Sequence, residues 1–432
     1  MGTSICASFC SYKLAKAGVK KADAGPLSEQ MKILQVVERF YPRAGGVEFH
    51  AFHISRELAK LGHDVTVVTS SSVAQQDVPG LSNKGLTLRN SLPDLPVFEA
   101  DEEGVKIYRF RPILALYTLY LTPGLIRYLF QHLREYDIVH VHQYLHAEPS
   151  LVAIASKLEK TPFVLTAHDM ISSYGGFRES AKNFADGIFG RAVLRSAAAL
   201  IALTPINAEQ YVQLGAPRER IRIIPNGITP EEFANLTTSA TLLRDLANPD
   251  HLVLFVGRLV SYKGPQYLVH AIADILGEYP STKFVFIGQD DGYGAELKRQ
   301  AMSERVLTQC AFMGQVSDEK LKEFYATADV FVLPSSCEAF GIAALESVAA
   351  GTPVVLADLG GLSYILSEIG GHPIDMHADV SAQIARAVKA VFRNDTDQQI
   401  EIQRQHVLNA FSWKSIAEQL VSVYEEVLAQ GG

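Results

Sequence analysis

Short runs of branched apolar residues alternate along the first half of the chain with longer segments of helical periodicity. MKILQVVERF (31–40) precedes a glycine-containing turn and the helical pattern of residues 47–63, and the β-branched run HDVTVVTSS follows. Later runs of the same character are DIVHVHQ (137–143), PFVLTAHD (162–169), ALIALTP (199–205) and IRIIPNGI (221–228). Near-continuous Val, Ile and Leu are typical of strands that a parallel sheet buries on both faces, so the pattern predicts repeated strand-helix-strand units.

The same alternation begins again after residue 228. Helical stretches such as residues 265–276 separate five further strand candidates: HLVLFVGRL (251–259), KFVFIGQ (283–289), CAFMGQV (310–316), VFVLPS (330–335) and PVVLAD (353–358). We therefore expect an α/β protein of two Rossmann-like parallel-sheet domains. Ligands of such sheets bind at the carboxyl ends of the strands, which predicts a site in a cleft between two facing domains.

The predicted organisation has four parts. Residues 1–30 form a disordered tail, residues 31–228 a first domain and residues 229–411 a second, with the boundary near the connector PNGITPEEF (225–233). The helical pattern of residues 412–430 predicts a helix that crosses back onto the first domain. A length of 432 residues fits two cores better than one.

Composition and charge narrow the function classes. The formal net charge of -8 argues against a broad attraction to nucleic acid or anionic lipid, so any phosphate must be bound by local groups. The four cysteines, Cys6, Cys10, Cys310 and Cys337, are too few and too scattered for a disulfide framework. We expect a reducing, cytoplasmic compartment and no nucleic-acid partner.

Two segments bear on targeting. MGTSICASFC has no basic start and no apolar run of signal-peptide length, so residues 1–30 do not predict a secreted protein. The apolar stretch 112–130 is interrupted by Pro123 and Gly124, and it falls short of a membrane-spanning helix. A buried or interdomain helix is the first interpretation, and peripheral contact with the inner face of a membrane is the second.

Two cations follow the first strand of the second domain. Arg258 and Lys263 come directly after HLVLFVG, at the predicted carboxyl end of that strand. A leaving nucleoside diphosphate gathers negative charge as the glycosidic bond breaks, and positioned cations stabilise that charge in the transition state. The alternative is a solvated pair on a surface loop, and the two residues alone do not exclude it.

Two carboxylates lie in SSCEAFGIAALESVAAG (335–351). Glu338 stands in a turn after a predicted strand, and Glu346 lies in a helix that should begin near Gly341. Carboxylates accept hydrogen bonds from the vicinal hydroxyls of a sugar or ribose, and the free amides of the helix start can face a phosphate. In the alternative interpretation Glu338 caps the helix and Glu346 is solvated.

The order G-R-x(4)-K-G and then E-A-F-G-x(4)-E resembles the retaining glycosyltransferases of family 4, the glycosyl group 1 transferases, which have the GT-B fold. The resemblance runs from Met31 to the end of the chain and includes YPRAGGVEFH, TAHD and IPNGI in the family's order. It implies that the first domain is the acceptor side and that the second binds the nucleotide sugar. One such motif is weak, but five in order are specific.

The resemblance also implies a role for each matching residue. Arg258 and Lys263 would hold the donor diphosphate, Glu338 would contact the transferred sugar, and Glu346 would bind the ribose hydroxyls. His168 would lie beside the reacting sugar. The first-domain loop would approach the donor phosphate or the acceptor closely at Gly45 and Gly46, where side chains would obstruct it. The backbone groups of Ala339, Phe340 and Gly341 would help Glu338 to contact the sugar.

For retaining enzymes of this family the acceptor attacks on the face from which the nucleotide leaves, and a donor phosphate oxygen takes the acceptor proton. No enzymic nucleophile is then required, which agrees with the lack of a G-x-S-x-G motif. The chain departs from the family after Gly360 and Gly361, where Leu362, Ser363 and Tyr364 replace a small residue, Pro and Glu. Cys337 is interpreted as a small filler residue.

No essential metal or cofactor is expected. DTD (395–397) lies between two helical patterns, and QDDG (289–292) follows a strand, so both favour turn and cap chemistry over a metal-binding D-x-D motif.

We expect a hexosyltransferase that uses a GDP- or UDP-linked sugar in polysaccharide, glycolipid or glycoconjugate biosynthesis, with a glycan, glycolipid or small glycoside as acceptor. The alternatives are a glycoside phosphorylase or sugar-nucleotide epimerase on the same fold, and a catalytically silent sugar-nucleotide binder. The residues leave the donor base, the hexose, the acceptor and the oligomeric state open.

Overall fold

The fold is seen in a computed structural model, which describes residues 29–41, 45–70, 87–88, 97–116, 119–143, 147–168, 190–393 and 397–431. The predicted tail lies outside these residues except for Glu29 and Gln30. Residues Met31–Gly432 form one compact unit.

The first half of the chain builds a sheet of eight strands in the order β11-β10-β9-β8-β1-β2-β5-β4, in which only β4 runs antiparallel to its neighbour. The central strands are buried on both faces, as their largely apolar sequences predict. The strands of this half are β1 (Lys32–Val37), β2 (Asp64–Ser70), β3 (Thr87–Leu88), β4 (Val97–Ala100), β5 (Lys106–Phe110), β6 (Leu114–Leu116), β7 (Leu119–Leu121), β8 (Ile138–His142), β9 (Phe163–Thr166), β10 (Ala199–Ala202) and β11 (Ile221–Ile223). Three of them, β3, β6 and β7, form a small separate antiparallel sheet.

Helices connect these parallel strands and cover the sheet. They are α1 (Gly46–Lys60), α2 (Pro123–His132), α3 (Ala147–Glu159), α4 (Arg191–Ser196) and α5 (Pro205–Gln213). Thr204 caps α5, because its side chain accepts a hydrogen bond from the Asn207 N–H and Pro205 fills the first helical position.

The second half builds a sheet of six parallel strands in the order β14-β13-β12-β15-β16-β17. Its strands are β12 (His251–Val256), β13 (Thr282–Ile287), β14 (Cys310–Gly314), β15 (Val330–Leu333), β16 (Val354–Ala357) and β17 (His372–Ile374). Its helices are α6 (Ala240–Asp245), α7 (Pro265–Leu276), α8 (Gly294–Ser303), α9 (Asp318–Thr327), α10 (Ile342–Ala349), α11 (Gly361–Ile369), α12 (Val380–Arg393) and α13 (Asp397–Ala410). The two parallel sheets confirm the predicted pair of Rossmann-like halves.

The last helix, α14 (Trp413–Gly431), returns to the first half, as predicted for residues 412–430. Its buried face, which includes Trp413, Leu420 and Tyr424, joins the core that α1 and β1 form. The connector before α14 pairs with the connector between the halves, because the Ile228 N–H donates to Phe411 O at 2.7 Å and the Trp413 N–H donates to Ile228 O at 2.9 Å. Both crossings between the halves therefore run side by side.

The sequence predicts one buried or interdomain helix for residues 112–130, and this prediction is wrong for the part of the segment before Pro123. The segment forms the short antiparallel strands β6 and β7 before α2 begins at Pro123. Proline fixes φ and lacks an N–H, so it is accepted in the first turn of a helix but not in its interior. Among the described residues, no helix has both the length and the apolar composition needed to cross a membrane.

Candidate active site

The second-half site forms where two neighbouring strands end. β12 and β15 pair in parallel, so the loop that carries Arg258 after β12 and the turn that carries Glu338 after β15 meet at one edge of the sheet. A short 3-10 turn, Ser261–Lys263, brings the first loop back toward the second. The Ser336 N–H donates to Tyr262 O at 2.8 Å and ties the two loops together.

Gly264 permits this approach. It has φ 78°, a conformation that favours glycine, and a Cβ at this position would lie 2.1 Å from Pro334 O. Glycine is therefore required sterically after Lys263, since any side chain would push the Lys263 loop away from the turn after β15.

The structure brings Lys263 and Glu338 into direct contact. Lys263 Nζ donates to Glu338 Oε2, and each side chain is 16% exposed. A charge-assisted hydrogen bond of this kind is stronger than one between neutral groups, and partial burial reduces its screening by solvent. One cation and one carboxylate thus neutralise each other.

Arg258 lies at the same edge but is more open to solvent. Its guanidinium contacts Asp291 Oδ2 at 3.2 Å and donates to the Tyr262 hydroxyl, and its side chain is 56% exposed. Asp291 belongs to the QDDG turn, whose other aspartate, Asp290, accepts the N–H groups of Gly292 and Gly294. The predicted turn chemistry of QDDG agrees with these bonds, while Asp395 and Thr396 of DTD lie outside the described residues.

Glu346 lies in α10, and its carboxylate accepts a hydrogen bond of 2.9 Å from the Tyr325 hydroxyl. Burial is the main cause that raises the pKa of Glu346 to about 7; the nearby acids Glu232 and Asp318 contribute to the rise, and Tyr325 and Lys322 oppose it. Close to neutral pH this carboxyl therefore exists in both protonation states. Tyr325 carried no motif signal in the sequence.

The backbone after Glu338 is held against α11. Gly341 precedes α10 with φ 104°, and the Gly361 N–H donates to Glu338 O at 2.8 Å. A Cβ on Gly361 would lie 2.5 Å from Ala339 O, so the second glycine of the GG pair is required by packing. Leu362, one of the departures from the family pattern, is buried beside Gly341 and fills the space there.

The two glycines of the first loop differ in their surroundings. A Cβ on Gly45 would lie 2.1 Å from Glu48 Oε2, and Glu48 is buried in an ion pair with Arg39 at 3.2 Å. A Cβ on Gly46 would meet no atom of the described part of the chain within 4 Å. A side chain at Gly45 would thus displace the Glu48 carboxylate from its ion pair, whereas one at Gly46 would displace none of the described residues.

His168 lies in a cluster of buried histidines at the carboxyl ends of β8 and β9. His168 Nε2 is 3.2 Å from His142 Nδ1, and the ring of His50 on α1 meets the His168 ring edge-on at a centroid distance of 4.6 Å. His142 Nε2 contacts Gln35 Oε1 at 2.8 Å, and His50 Nδ1 contacts Asn226 Oδ1 at 2.7 Å. Sequence reasoning missed His50 and His142, although His142 ends the strand next to the one that precedes His168.

Burial keeps these imidazoles neutral. Burial lowers the pKa of His50 to about 4, and it lowers the pKa of His142 and His168 well below the usual value, with neighbouring histidines adding to the effect. Burial also lowers the pKa of His140, which precedes His142 on β8, to about 3. The cluster can accept or donate hydrogen bonds near neutral pH without carrying charge.

The contacts bring only two of the predicted side chains directly together, Lys263 and Glu338. Arg258 and Glu346 lie in the same half but contact Asp291 and Tyr325. His168 belongs to the histidine cluster in the first half. Two parallel sheets with polar groups at the carboxyl ends of their strands agree with the class of GT-B proteins that the sequence predicts.

Comparisons with known proteins identify the family within this class. The family described as Glycosyltransferase Family 4 matches residues 44–232, and the family described as Glycosyl transferases group 1 matches residues 244–405. D-inositol 3-phosphate glycosyltransferase of Acidothermus cellulolyticus is 31% identical over 411 residues, which cover 90% of this chain and 87% of that protein. The chain belongs to the group 1 glycosyltransferases of family 4.

Other relatives extend over comparable lengths. An uncharacterised glycosyltransferase of Methanocaldococcus jannaschii is 29% identical over 419 residues, covering 93% of this chain and all of that protein (100%). Among solved structures, HepE of Anabaena in complex with UDP and glucose has a TM-score of 0.70 at 19% identity and covers 92% of this chain and 100% of its own. Sucrose-phosphate synthase from Thermosynechococcus elongatus has a TM-score of 0.69 at 22% identity, and the match covers 93% of this chain and 100% of that one. These structural likenesses support the GT-B fold.

Proposed function

We propose that this glycosyltransferase moves a hexose from a UDP- or GDP-linked donor to an acceptor hydroxyl with retention of anomeric configuration, in the biosynthesis of a cell-envelope polysaccharide, glycolipid or other glycoconjugate. The observation that carries the proposal is the Lys263–Glu338 contact at the joined ends of β12 and β15. It sets one cation and one carboxylate side by side, which are the two groups that a sugar diphosphate requires at its phosphate and its hydroxyls.

Donor binding would exchange the partners of this pair. The diphosphate offers Lys263 a doubly charged partner, and Glu338 is then free to accept hydrogen bonds from the sugar hydroxyls. Both groups are already partly desolvated, so the exchange replaces one charge-assisted contact with several. Arg258 supplies a second, more exposed cation for the same diphosphate.

The first half would contribute a neutral surface to the reacting sugar. His168 is uncharged, so it can form hydrogen bonds with sugar hydroxyls without attracting the phosphates. In the reaction the bond between C1 and the diphosphate oxygen breaks, the bond between C1 and the acceptor oxygen forms on the same face, and a phosphate oxygen takes the acceptor proton. The leaving diphosphate gains negative charge beside Lys263, which stabilises the transition state.

The acceptor is a hydroxyl compound that enters from the first half. Several relatives are named D-inositol 3-phosphate glycosyltransferases, so D-inositol 3-phosphate is the first compound to try, followed by small glycosides and glycolipids. The UDP complexes of HepE make UDP-glucose the first donor.

The experiment begins with calorimetric titration of UDP, GDP and their common hexose derivatives into the purified protein, because a ligand of the native state also raises apparent thermal stability. Turnover with the best donor is then followed by proton NMR, which reports the anomeric configuration of the product. Retention supports the proposal. An inverted product contradicts the mechanism, and binding of donors without turnover on any acceptor would indicate a silent binder.

A matched pair of variants tests the role of Glu338. Glu338→Gln should lower kcat and broaden the choice of donor sugar, since the amide cannot replace the anionic acceptor. Glu103→Gln is the control, because Glu103 is 18% exposed and pairs with Arg56 in the first half. Equal turnover by both variants would contradict the proposed role of Glu338 in sugar binding.

A further inference from the structure

Three histidines meet in the first half without any role for all of them in sugar transfer. His50, His142 and His168 are each buried, and one ring nitrogen of each lies within 4.8 Å of those of the other two. They come from three separate elements: α1, the end of β8 and the residues after β9. Among the described residues, these three buried imidazoles therefore form a group of possible metal ligands.

The hydrogen bonds on the far side of two rings determine where the lone pairs lie. An amide oxygen only accepts, so Asn226 Oδ1 at 2.7 Å requires the proton of His50 on Nδ1. Gln35 Oε1 at 2.8 Å likewise requires the proton of His142 on Nε2. The remaining nitrogens, His50 Nε2 and His142 Nδ1, carry lone pairs.

One of these lone pairs is not used by any of the described residues. His50 Nε2 is buried and has no hydrogen-bond partner among the described residues, and His50 is 1% exposed. A buried polar atom without a partner costs about 1–3 kcal/mol, so it indicates that something else binds there.

We propose that His50, His142 and His168 form a binding site for one divalent transition-metal ion of the Zn²⁺ type. Three imidazole ligands with a fourth position left for water or a hydroxyl are a common Zn²⁺ arrangement. The 3.2 Å between His142 Nδ1 and His168 Nε2 is close to the separation of about 3.3–3.4 Å between two ligand nitrogens of a tetrahedral site with Zn–N bonds of 2.0–2.1 Å.

The two amides complete the site in the way that metal-bound histidines require. A ligating histidine donates its other ring N–H to an acceptor, which holds the ring in place and increases the basicity of the ligating nitrogen. Asn226 performs this function for His50, and Gln35 performs it for His142. Asn226 also precedes the connector that pairs Ile228 with Phe411, so the site is attached to the junction between the halves.

The proposal stands independently of the proposed sugar transfer, because it is tested by metal binding alone. The full chain, without an affinity tag and after treatment with a chelator, is titrated with Co²⁺ while the visible absorption is recorded. We expect one equivalent of Co²⁺ to produce the intense absorption of a tetrahedral site and Zn²⁺ to abolish it by displacement. X-ray absorption of the Zn²⁺ form should then give imidazole nitrogens at about 2.0–2.1 Å.

Variants separate this site from other histidines. His142→Gln should lose the tetrahedral absorption. His140→Gln is the matched control and should keep it, since His140 is equally buried on β8 but both its nitrogens are already bonded, to Tyr424 at 2.6 Å and Thr166 at 2.7 Å. Circular dichroism establishes that each variant is folded.

Variants of Asn226, the hydrogen-bond partner of His50, should change the Co²⁺ affinity by different amounts. Asn226→Leu should weaken Co²⁺ binding about 10–100-fold, the usual loss when the outer partner of a ligating histidine is removed. Asn226→Asp keeps an acceptor for His50 Nδ1 and should bind Co²⁺ at least as tightly as the unaltered chain. An unaltered chain with no tetrahedral absorption at one equivalent would overturn the proposal, as would retention of that absorption by His142→Gln. Either result would leave the three histidines as packed neutral rings, with the contact between His142 and His168 as a hydrogen bond.

Discussion

The two halves of this glycosyltransferase place opposite kinds of polar chemistry at their strand ends. In the second half, Lys263 pairs with Glu338 and Arg258 with Asp291, so the groups are charged and neutralise each other. In the first half, His50, His142 and His168 are buried and neutral. The difference teaches that burial decides the kind of polar group a surface can hold: charges persist where solvent or a partner reaches them, and imidazoles lose theirs where neither does.

The largest expected effect concerns the stability of the first half in acid. The fold lowers the pKa of its buried histidines, so between about pH 6.5 and the native values the unfolded chain binds protons that the folded chain does not. The free energy of unfolding should therefore fall as pH decreases below about 6.5, by roughly 1.4 kcal/mol per pH unit for each histidine that stays neutral.

Urea unfolding near pH 7 and near pH 5 measures this fall. His140→Gln removes one of the contributing groups, whose native pKa is about 3, and should reduce the slope of stability against pH by about one proton. If the unaltered chain is equally stable at both values, the histidines are not held neutral and the contrast between the halves disappears.

Lys263→Ala should have the next largest effect. Its ammonium is partly desolvated against Glu338, and its removal would leave the carboxylate without this partner and the leaving diphosphate with only the more exposed Arg258. We expect a loss of about 2–4 kcal/mol of transition-state stabilisation, measured as the ratio of kcat/KM values. Lys389→Ala is the control because Lys389 is 15% exposed and pairs with Asp274 at 2.9 Å. Similar kinetics of the two variants would contradict the diphosphate site.

Arg258→Ala should cost less than Lys263→Ala. Both cations belong to the same motif, but Arg258 is 56% exposed and its interactions are screened by solvent. We expect a loss of about 1 kcal/mol in the affinity for a nucleoside diphosphate, decreasing as salt is added. Arg393→Ala, which removes an arginine that is 55% exposed and pairs with Glu278, provides the calorimetric baseline. A loss equal to that of Lys263→Ala would indicate that donor binding buries Arg258.

Glu346 should give the smallest effect, a pH dependence of donor binding. Its pKa is about 7, and only the ionised form accepts hydrogen bonds from both ribose hydroxyls. Nucleotide affinity should therefore rise about threefold from about pH 6.5 to about pH 7.5, the change in the ionised fraction. The Glu346→Gln variant should bind the nucleotide more weakly, and its affinity should not change between these pH values. Titration calorimetry at both pH values measures the two affinities.

The same group affects stability with a defined sign. In the unfolded chain Glu346 loses its proton near its ordinary value of 4.5, whereas in the folded protein it keeps the proton until about pH 7. The folded state therefore binds the extra proton between these values, and stability falls as pH rises through them. Glu346→Gln should lack this contribution.

Local pattern was sufficient for the architecture. Apolar runs between residues 31 and 358 predicted the main parallel strands, because burial on both faces demands near-continuous Val, Ile and Leu whatever the surrounding fold. The spacing of Arg258, Lys263 and Glu338 also pointed to the strand edge where they lie. The segment 112–130 was misjudged because apolar content does not distinguish short strands from a helix, and Pro123 separates the two.

Contacts between distant residues were decided only by the tertiary structure. The order of strands sets β15 beside β12 and β9 beside β8, and this order joins Lys263 to Glu338 and His168 to His142. Tyr325 meets Glu346, and Asn226 meets His50 across a separation of 176 residues, without any motif that announces the pair. A sequence determines which residues can be buried in a strand or helix, since that depends on near neighbours. Which polar groups then share a buried site, and with what charge, depends on how the strands and helices pack.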